Sequence, residues 1–358
     1  MTDRLPRTAS RRPAVPAALA VFLAALLALV ALDALVRDEV VPQGDDLIYE
    51  RMAQDPLGTH TFPFAFRIAT PWLVHLSPLS DSLSFSLLGW LFSAAAGAFL
   101  FLALERVRVP RGCAVALAVL FVLAPTLLIA SLRQGRNPDP LTGLVMCMGA
   151  WCIVARRPRT LAAVMLLGAF NRESALVLGP WAYAAWATSP LDRRALRTTA
   201  LATLPALVAY VALRLAVPNV GRESVLGYDS LLGGRLDVLR KGFGELGANV
   251  RRVGYVAGPL WLAYAAALRS SRFARAGLVV LAFCVVAATF ANDWGRVAFV
   301  AAPAVWIGGA IWLGRRRGPW AVVLVLLVLM DVAYAVYMDR SGVRTGILEL
   351  GPPPYPVR

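Results

Sequence analysis

The chain has 358 residues, 59% of them hydrophobic, and a mean hydropathy of +0.65, values that exclude an ordinary water-soluble domain and leave room for a sizeable helical bundle. Its formal charge of +15 would suit nucleic acid only if the basic residues formed a patch. Nineteen of the 36 sit instead at the ends of alternate apolar runs and the rest nearly cancel against acidic residues, which argues against nucleic acid as a partner and points to topology.

In chain order the apolar runs cover 14–36, 83–104, 113–132, 140–155, 160–170, 175–188, 196–217, 252–268, 276–292, 297–314 and 319–338. A hydrocarbon core of about 30 Å needs roughly 20 residues of helix, with shorter pieces tolerated inside a bundle. The expectation is therefore an all-α, polytopic transmembrane helical bundle of about 11 segments, a single domain over 1–358 with membrane lipid around it. The first run is longer than the apolar stretch of a typical signal peptide, so it reads as a retained span.

Alternate connections carry Arg4, Arg7, Arg11 and Arg12, then Arg106, Arg108 and Arg111, then Arg156, Arg157 and Arg159. Further along come Arg193, Arg194 and Arg197, then Arg269, Arg272 and Arg275, then Arg315 to Arg317. Only Asp3, Glu105 and Asp192 oppose them, so this face is cytoplasmic by the positive-inside rule. The N-terminus is then inside and the tail 339–358 outside. Arginine and alanine abound beside a single lysine, Lys241, which suits a GC-rich bacterial genome and a bacterial plasma membrane. Cys113, Cys147, Cys152 and Cys284 fall within predicted spans, lack metal-ligand spacing and read as small apolar residues. No Walker loop, GxGxxG or HExxH occurs, which argues against a nucleotide-driven pump, a dehydrogenase and a zinc protease.

Two outer connections are long, 37–82 and 218–251, and long ordered loops more often carry function. The first holds Asp38, Glu39, Asp45, Asp46, Glu50, Asp55 and Asp81, with both histidines, His60 and His75. Its GDDLIYERMA reads as a helix placing Asp46, Tyr49, Glu50 and Ala53 on one face. Asp45 and Asp46 are candidate acid–base carboxylates or simply N-terminal caps. In HTFPFAFRIATPWLVHL, Phe62, Phe64, Phe66 and Trp72 suggest an interfacial helix that sets Arg67 at the depth of lipid phosphate. The second long loop alternates leucines with Arg235, Asp237, Arg240, Lys241, Glu245, Arg251 and Arg252 and reads as an amphipathic surface helix.

In RQGRNPDPLTGL, Asp139 precedes the fourth run between two prolines, as a helix cap or as a second site carboxylate. Asn171, Arg172, Glu173 and Ser174 separate two apolar pieces, each too short to cross alone, so they lie below the outer surface. A charge there costs about 2.5–3.5 kcal/mol on insertion scales, and broken helices at depth line cavities. Mutual neutralisation of Arg172 and Glu173 is the plainer alternative. FANDWGRVAF adds Asn292, Asp293 and Arg296 at another outer turn, while Asp33 and Asp331 lie near outer helix ends where snorkelling satisfies them.

Asp46 three residues before Tyr49 in an acidic first outer loop, Asp139 in DPL, Arg172–Glu173 in NRES and Arg296 near an outer helix end together resemble the GT-C class of membrane glycosyltransferases. The topology is similar over most of the chain, without the large soluble C-terminal domain. The resemblance implies a polyprenyl-phosphate-linked sugar donor and a glycan, lipid or protein acceptor. Asp45 or Asp46 would be the general base, with Asp139 orienting the acceptor. Tyr49, Glu50, His60, Arg67, Asn171, Arg172, Glu173, Asp293 and Arg296 would line the substrate site, with Arg67, Arg172 and Arg296 on the leaving phosphate. Some members use a divalent cation, which the sequence leaves open. The alternatives are a transporter or flippase of lipid-linked saccharide using the same cavity without chemistry, and a surface-polysaccharide polymerase or ligase.

Overall fold

The computed structural model describes residues 14–35, 45–61, 64–132, 136–220, 240, 242–289, 291, 293–315 and 319–340. Among them the fold is all-helical, apart from two short 3-10 turns and a parallel pairing of His60–Thr61 with Asn219–Val220. Each predicted apolar run contains helix within its described residues.

Ala14–Leu35 (α1) is apolar all round, burying Ala18, Val21, Ala25 and Leu29 while exposing Leu19, Leu23, Leu27 and Val30. A helix of that kind belongs in lipid or in a core. Asp45–Gln54 (α2) and Ala69–His75 (α3) follow, then Asp81–Arg106 (α4), with Asp81 in its first turn and Arg106 in its last, each complementing the helix dipole. Gly89, Ser93, Ala94, Ala96, Gly97 and Ala103 give α4 a small-residue face, which lets helices approach closely.

Arg111–Leu123 (α5) and Pro125–Leu132 (α6) divide one predicted run at Ala124, since Pro125 cannot donate to the helix ladder. Asp139–Ala155 (α7) packs against α4 and is buried over most of its length. Pro158–Ala169 (α8) and Leu178–Trp186 (α9) are half-length helices, about 18 Å and 14 Å long, separated by a turn and the 3-10 stretch Glu173–Val177. Arg193–Ala216 (α10) exposes Leu201, Leu204, Val208, Val211 and Leu215, the reverse of a soluble surface helix.

The second long loop falls partly outside the described residues; within them lies Leu246–Tyr255 (α11). The run 252–268 is not one helix, because Gly258 at φ +47° followed by Pro259 separates α11 from Leu260–Ala267 (α12). Arg272–Ala288 (α13), Trp294–Phe299 (α14), Ala302–Arg315 (α15) and Trp320–Arg340 (α16) complete the chain.

Among the described residues, three helices are long and apolar enough to cross a membrane: Ala14–Ala34, Asp81–Arg106 and Arg193–Ala216. The pair α12 and α13, bent by 115°, adds a fourth if taken as one broken span. The main core lies among α4, α7, α9 and α15; a second, smaller one joins Tyr49, Met52, Ala53, Phe66, Ile68 and Val74 to Phe85 of α4 and to Leu213 and Val217 at the end of α10. This smaller core ties the segment 45–76 of the first long loop to α4 and to the end of α10. The expected interfacial anchoring is not how that loop is held: Phe66 is buried, with the Arg214 guanidinium 4.7 Å from its ring centroid, and Arg67 is buried beside it, leaving Trp72 exposed. Phe62 lies outside the described residues.

Candidate functional site

Pro138 and Pro140 set the start of α7, where the Asp139 amide donates to Asn137 Oδ1 at 2.9 Å. Asn171 stitches the break after α8 to this start, its Nδ2 donating to the Pro138 carbonyl (3.1 Å) and to Thr142 Oγ1 (2.9 Å). Gly168 allows the tight approach, since a methyl there would overlap Ala175 and Val145. Arg172, one residue on, is thereby aimed at α7.

The Asp139 carboxylate caps nothing. Oδ1 accepts from Arg172 Nη1 at 2.5 Å and Oδ2 from Arg296 Nε at 2.6 Å. Arg296 is in turn set by Asp293, which caps α14 through the amides of Gly295 (2.9 Å) and Arg296 (3.2 Å). From Arg296 the chain of contacts passes to α2, where Nη1 lies 3.4 Å from Asp45 Oδ2. A second branch runs from Arg67, whose Nη1 donates to the Tyr49 hydroxyl at 3.2 Å while Nη2 lies 3.5 Å from Glu173 Oε1. The direct contacts of Arg172 and Glu173 are with groups from other elements, Asp139 and Arg67, and between the two neighbours only a longer-range attraction acts.

Electrostatics divide these groups. Burial alone would raise the Asp139 carboxyl, but Arg296 and Arg172 outweigh it and hold it below the usual carboxylate range. Burial likewise opposes ionisation of Glu173, and Arg67 with Arg172 overcomes it. Burial raises the Tyr49 phenol despite the nearby Arg67, so it stays neutral while accepting from that guanidinium. Asp139 is 5% exposed and doubly paired, whereas Asp45 and Glu173 are 42% and 40% exposed and their ion pairs are longer, at 3.4 and 3.5 Å.

Of the sequence-predicted residues, Asp45, Tyr49, Arg67, Asp139, Asn171, Arg172, Glu173 and Arg296 meet here, with Asp293 supporting Arg296. Asp46 is buried on the same face of α2 as Tyr49 and Ala53. Glu50 meets Arg136 at 2.8 Å, a residue the sequence reading passed over although it stands three positions before Asp139. His60 lies apart, its Nε2 donating to the Asp55 carbonyl at 2.6 Å. Among the described residues no three His, Cys, Asp or Glu side chains gather to hold a metal ion, and the site carboxylates face guanidinium groups instead. Arg67 Nε, Asn171 Oδ1 and Ser174 Oγ are buried without a hydrogen-bond partner, and the crevice among Thr142, Asn171, Arg172 and Ser174 is too narrow for a water molecule.

No family model matches the chain, and no curated protein matches it in sequence. The fold and site define a class in physical terms: an all-helical protein with the apolar helices of a membrane protein, in which guanidinium and carboxylate groups from distant segments meet where α2, α7 and α14 begin and α8 breaks.

Proposed function

We propose that this chain is a GT-C-like integral membrane glycosyltransferase of a bacterial plasma membrane, crossing it about eleven times with its N-terminus cytoplasmic. It moves a sugar from a polyprenyl-phosphate donor to an extracytoplasmic hydroxyl. The observation that carries this reading is the meeting of Arg172 and Arg296 with Asp139, of Arg296 with Asp45 and of Arg67 with Glu173 at 2.5–3.5 Å, across segments up to 251 residues apart. Three guanidinium groups held by buried partners form a preorganised anion site, and such preorganisation is the larger part of many rate enhancements. Forked donors suit a phosphate oxygen pair.

Asp45 is the better base. It is half-exposed and loosely held, so its lone pairs can reach an acceptor hydroxyl, whereas Asp139 is committed to two guanidinium groups. The acceptor oxygen bonds to the anomeric carbon and its proton passes to Asp45. The bond from that carbon to the phosphate oxygen breaks, and its electron pair leaves with polyprenyl phosphate, whose new charge the arginines take up. Asp139 positions Arg172 and Arg296.

The test uses full-length protein in liposomes with a radiolabelled polyprenyl-monophosphate sugar and an extract of envelope acceptors, reading free polyprenyl phosphate by mass spectrometry. Asp45→Asn is expected to lower its release by roughly 100-fold or more, the usual worth of a positioned base. Wild-type release from Asp45→Asn, Asp46→Asn, Asp139→Asn and the double Asp45/Asp46 variant would refute the assignment. Passage of intact donor across the bilayer would mark a transporter, and diphosphate products a polymerase or ligase.

A further inference from the structure

The arginine contacts are of two kinds. Asp139 is sealed and gives each oxygen to a different guanidinium at 2.5 and 2.6 Å. Asp45 and Glu173, at 42% and 40% exposure, hold Arg296 Nη1 and Arg67 Nη2 at 3.4 and 3.5 Å, and partly exposed pairs of that length are weakly held. The same guanidinium groups are buried on their other sides, where Arg67 Nε has no acceptor. The N–H groups committed to Asp45 and Glu173 are therefore the ones an incoming anion can take, and Asp139 is the partner that stays.

We infer that Asp45 and Glu173 occupy in the resting protein the positions of a phosphate group, and that phosphate binding displaces them from Arg296 and Arg67, freeing Asp45 to receive the acceptor proton. The inference rests on the transferase reading and adds how the base is released. The charge balance supports it. Arg67, Arg172 and Arg296 offset Asp45, Asp139 and Glu173 in the resting cluster. A donor phosphodiester adds one negative charge. On transfer the leaving group becomes a monoester and gains about one more, while Asp45 loses one by taking the proton. The cluster's total charge is then unchanged through the step, so the buried arginines meet no new imbalance.

Binding of dodecyl phosphate, a mimic of the leaving lipid, and of inorganic phosphate is measured calorimetrically on full-length protein in an uncharged maltoside detergent, with monodispersity checked for every variant. Removing a like charge about 4–6 Å from the phosphate tightens its binding, so Asp45→Asn and Glu173→Gln are each expected to lower the Kd for dodecyl phosphate roughly 5- to 10-fold. Arg296→Gln is expected to raise it more than 10-fold. If wild type binds dodecyl phosphate and Arg296→Gln weakens it, but neither Asp45→Asn nor Glu173→Gln tightens it, displacement is wrong and the phosphate site stands. If Asp45→Asn and Glu173→Gln tighten both probes equally, displacement stands and the lipid is removed from the donor reading. Absence of binding of either probe to wild type and to Asp45→Asn overturns both proposals.

Discussion

Asp139 and Asp45 carry the same carboxylate, and burial gives them different tasks. Replacing Asp139 by asparagine strands two largely buried guanidinium groups, and removing one partner of a buried pair costs about 3–5 kcal/mol. Asp139→Asn should therefore lower the thermal midpoint in detergent by several degrees, while Asp45→Asn, losing only a long exposed contact, should leave it nearly unchanged. A loss of stability in Asp45→Asn matching that of Asp139→Asn would contradict this division. Because the Asp139 and Glu173 carboxyls are depressed in the folded protein, their contribution is present above the ordinary carboxylate range and is lost as pH falls through their folded values. Wild type should thus lose stability on acidification below about pH 4, and Asp139→Asn should do so less steeply. The residue types were legible in the sequence, since Arg and Asp flanked by apolar runs demand partners. Their pairing was not, because Arg172 and Arg296 reach Asp139 from 33 and 157 positions away, and the adjacency of Arg172 to Glu173 suggested a local pair that the backbone does not make.

At the scale of elements, the apolar runs gave the helices closely, as continuous hydrophobicity is a local property. What they concealed was interruption. The runs 113–132, 252–268 and 297–314 each divide, at Ala124–Pro125, at Gly258–Pro259 and before Pro303. Each break lies beside a proline that a hydropathy reading counts as merely neutral. Only one break was marked by polarity, the one after α8, which is why that site element was found and the others were not. The Gly258 break is required by its backbone: φ is +47°, and a side chain there would also meet Met330 Sδ. Gly258→Ala should therefore destabilise the fold by about 1–2 kcal/mol. Gly112→Ala, in the first turn of α5 with open space around it, should be neutral or slightly stabilising. Equal melting of the two variants in differential scanning fluorimetry would show that the break is not strained toward glycine.

For the whole molecule, the arginine distribution and the exposed leucines address the same question from opposite directions. Leucine and valine rows face outward on α1, α10 and α16, where water would oppose them, so their surroundings are apolar. Among the described residues three helices, or four with the bent pair, are long and apolar enough to cross, and the proposed eleven crossings require that short or broken pieces such as α8 and α9 be screened from lipid by their neighbours. Arg156, Arg157 and Arg159 cluster with Arg193 and Arg194 at helix ends opposite, along the chain, to those holding Asp45 and Asp139. If that basic end is cytoplasmic, the connection following α2 is outside and the one between α9 and α10 is inside. The proposal needs this orientation, because the acceptor hydroxyl and Asp45 must share the outer compartment. With Cys113, Cys147, Cys152 and Cys284 replaced by alanine, single cysteines at Leu57 and at Ser189, both exposed, report it. A membrane-impermeant maleimide should label Leu57→Cys in intact cells and Ser189→Cys only after permeabilisation. Labelling of both from outside would mean an even number of crossings between residues 57 and 189 and would break the alternation; the reverse pattern would put the carboxylates in the cytoplasm, where an extracytoplasmic acceptor never meets them.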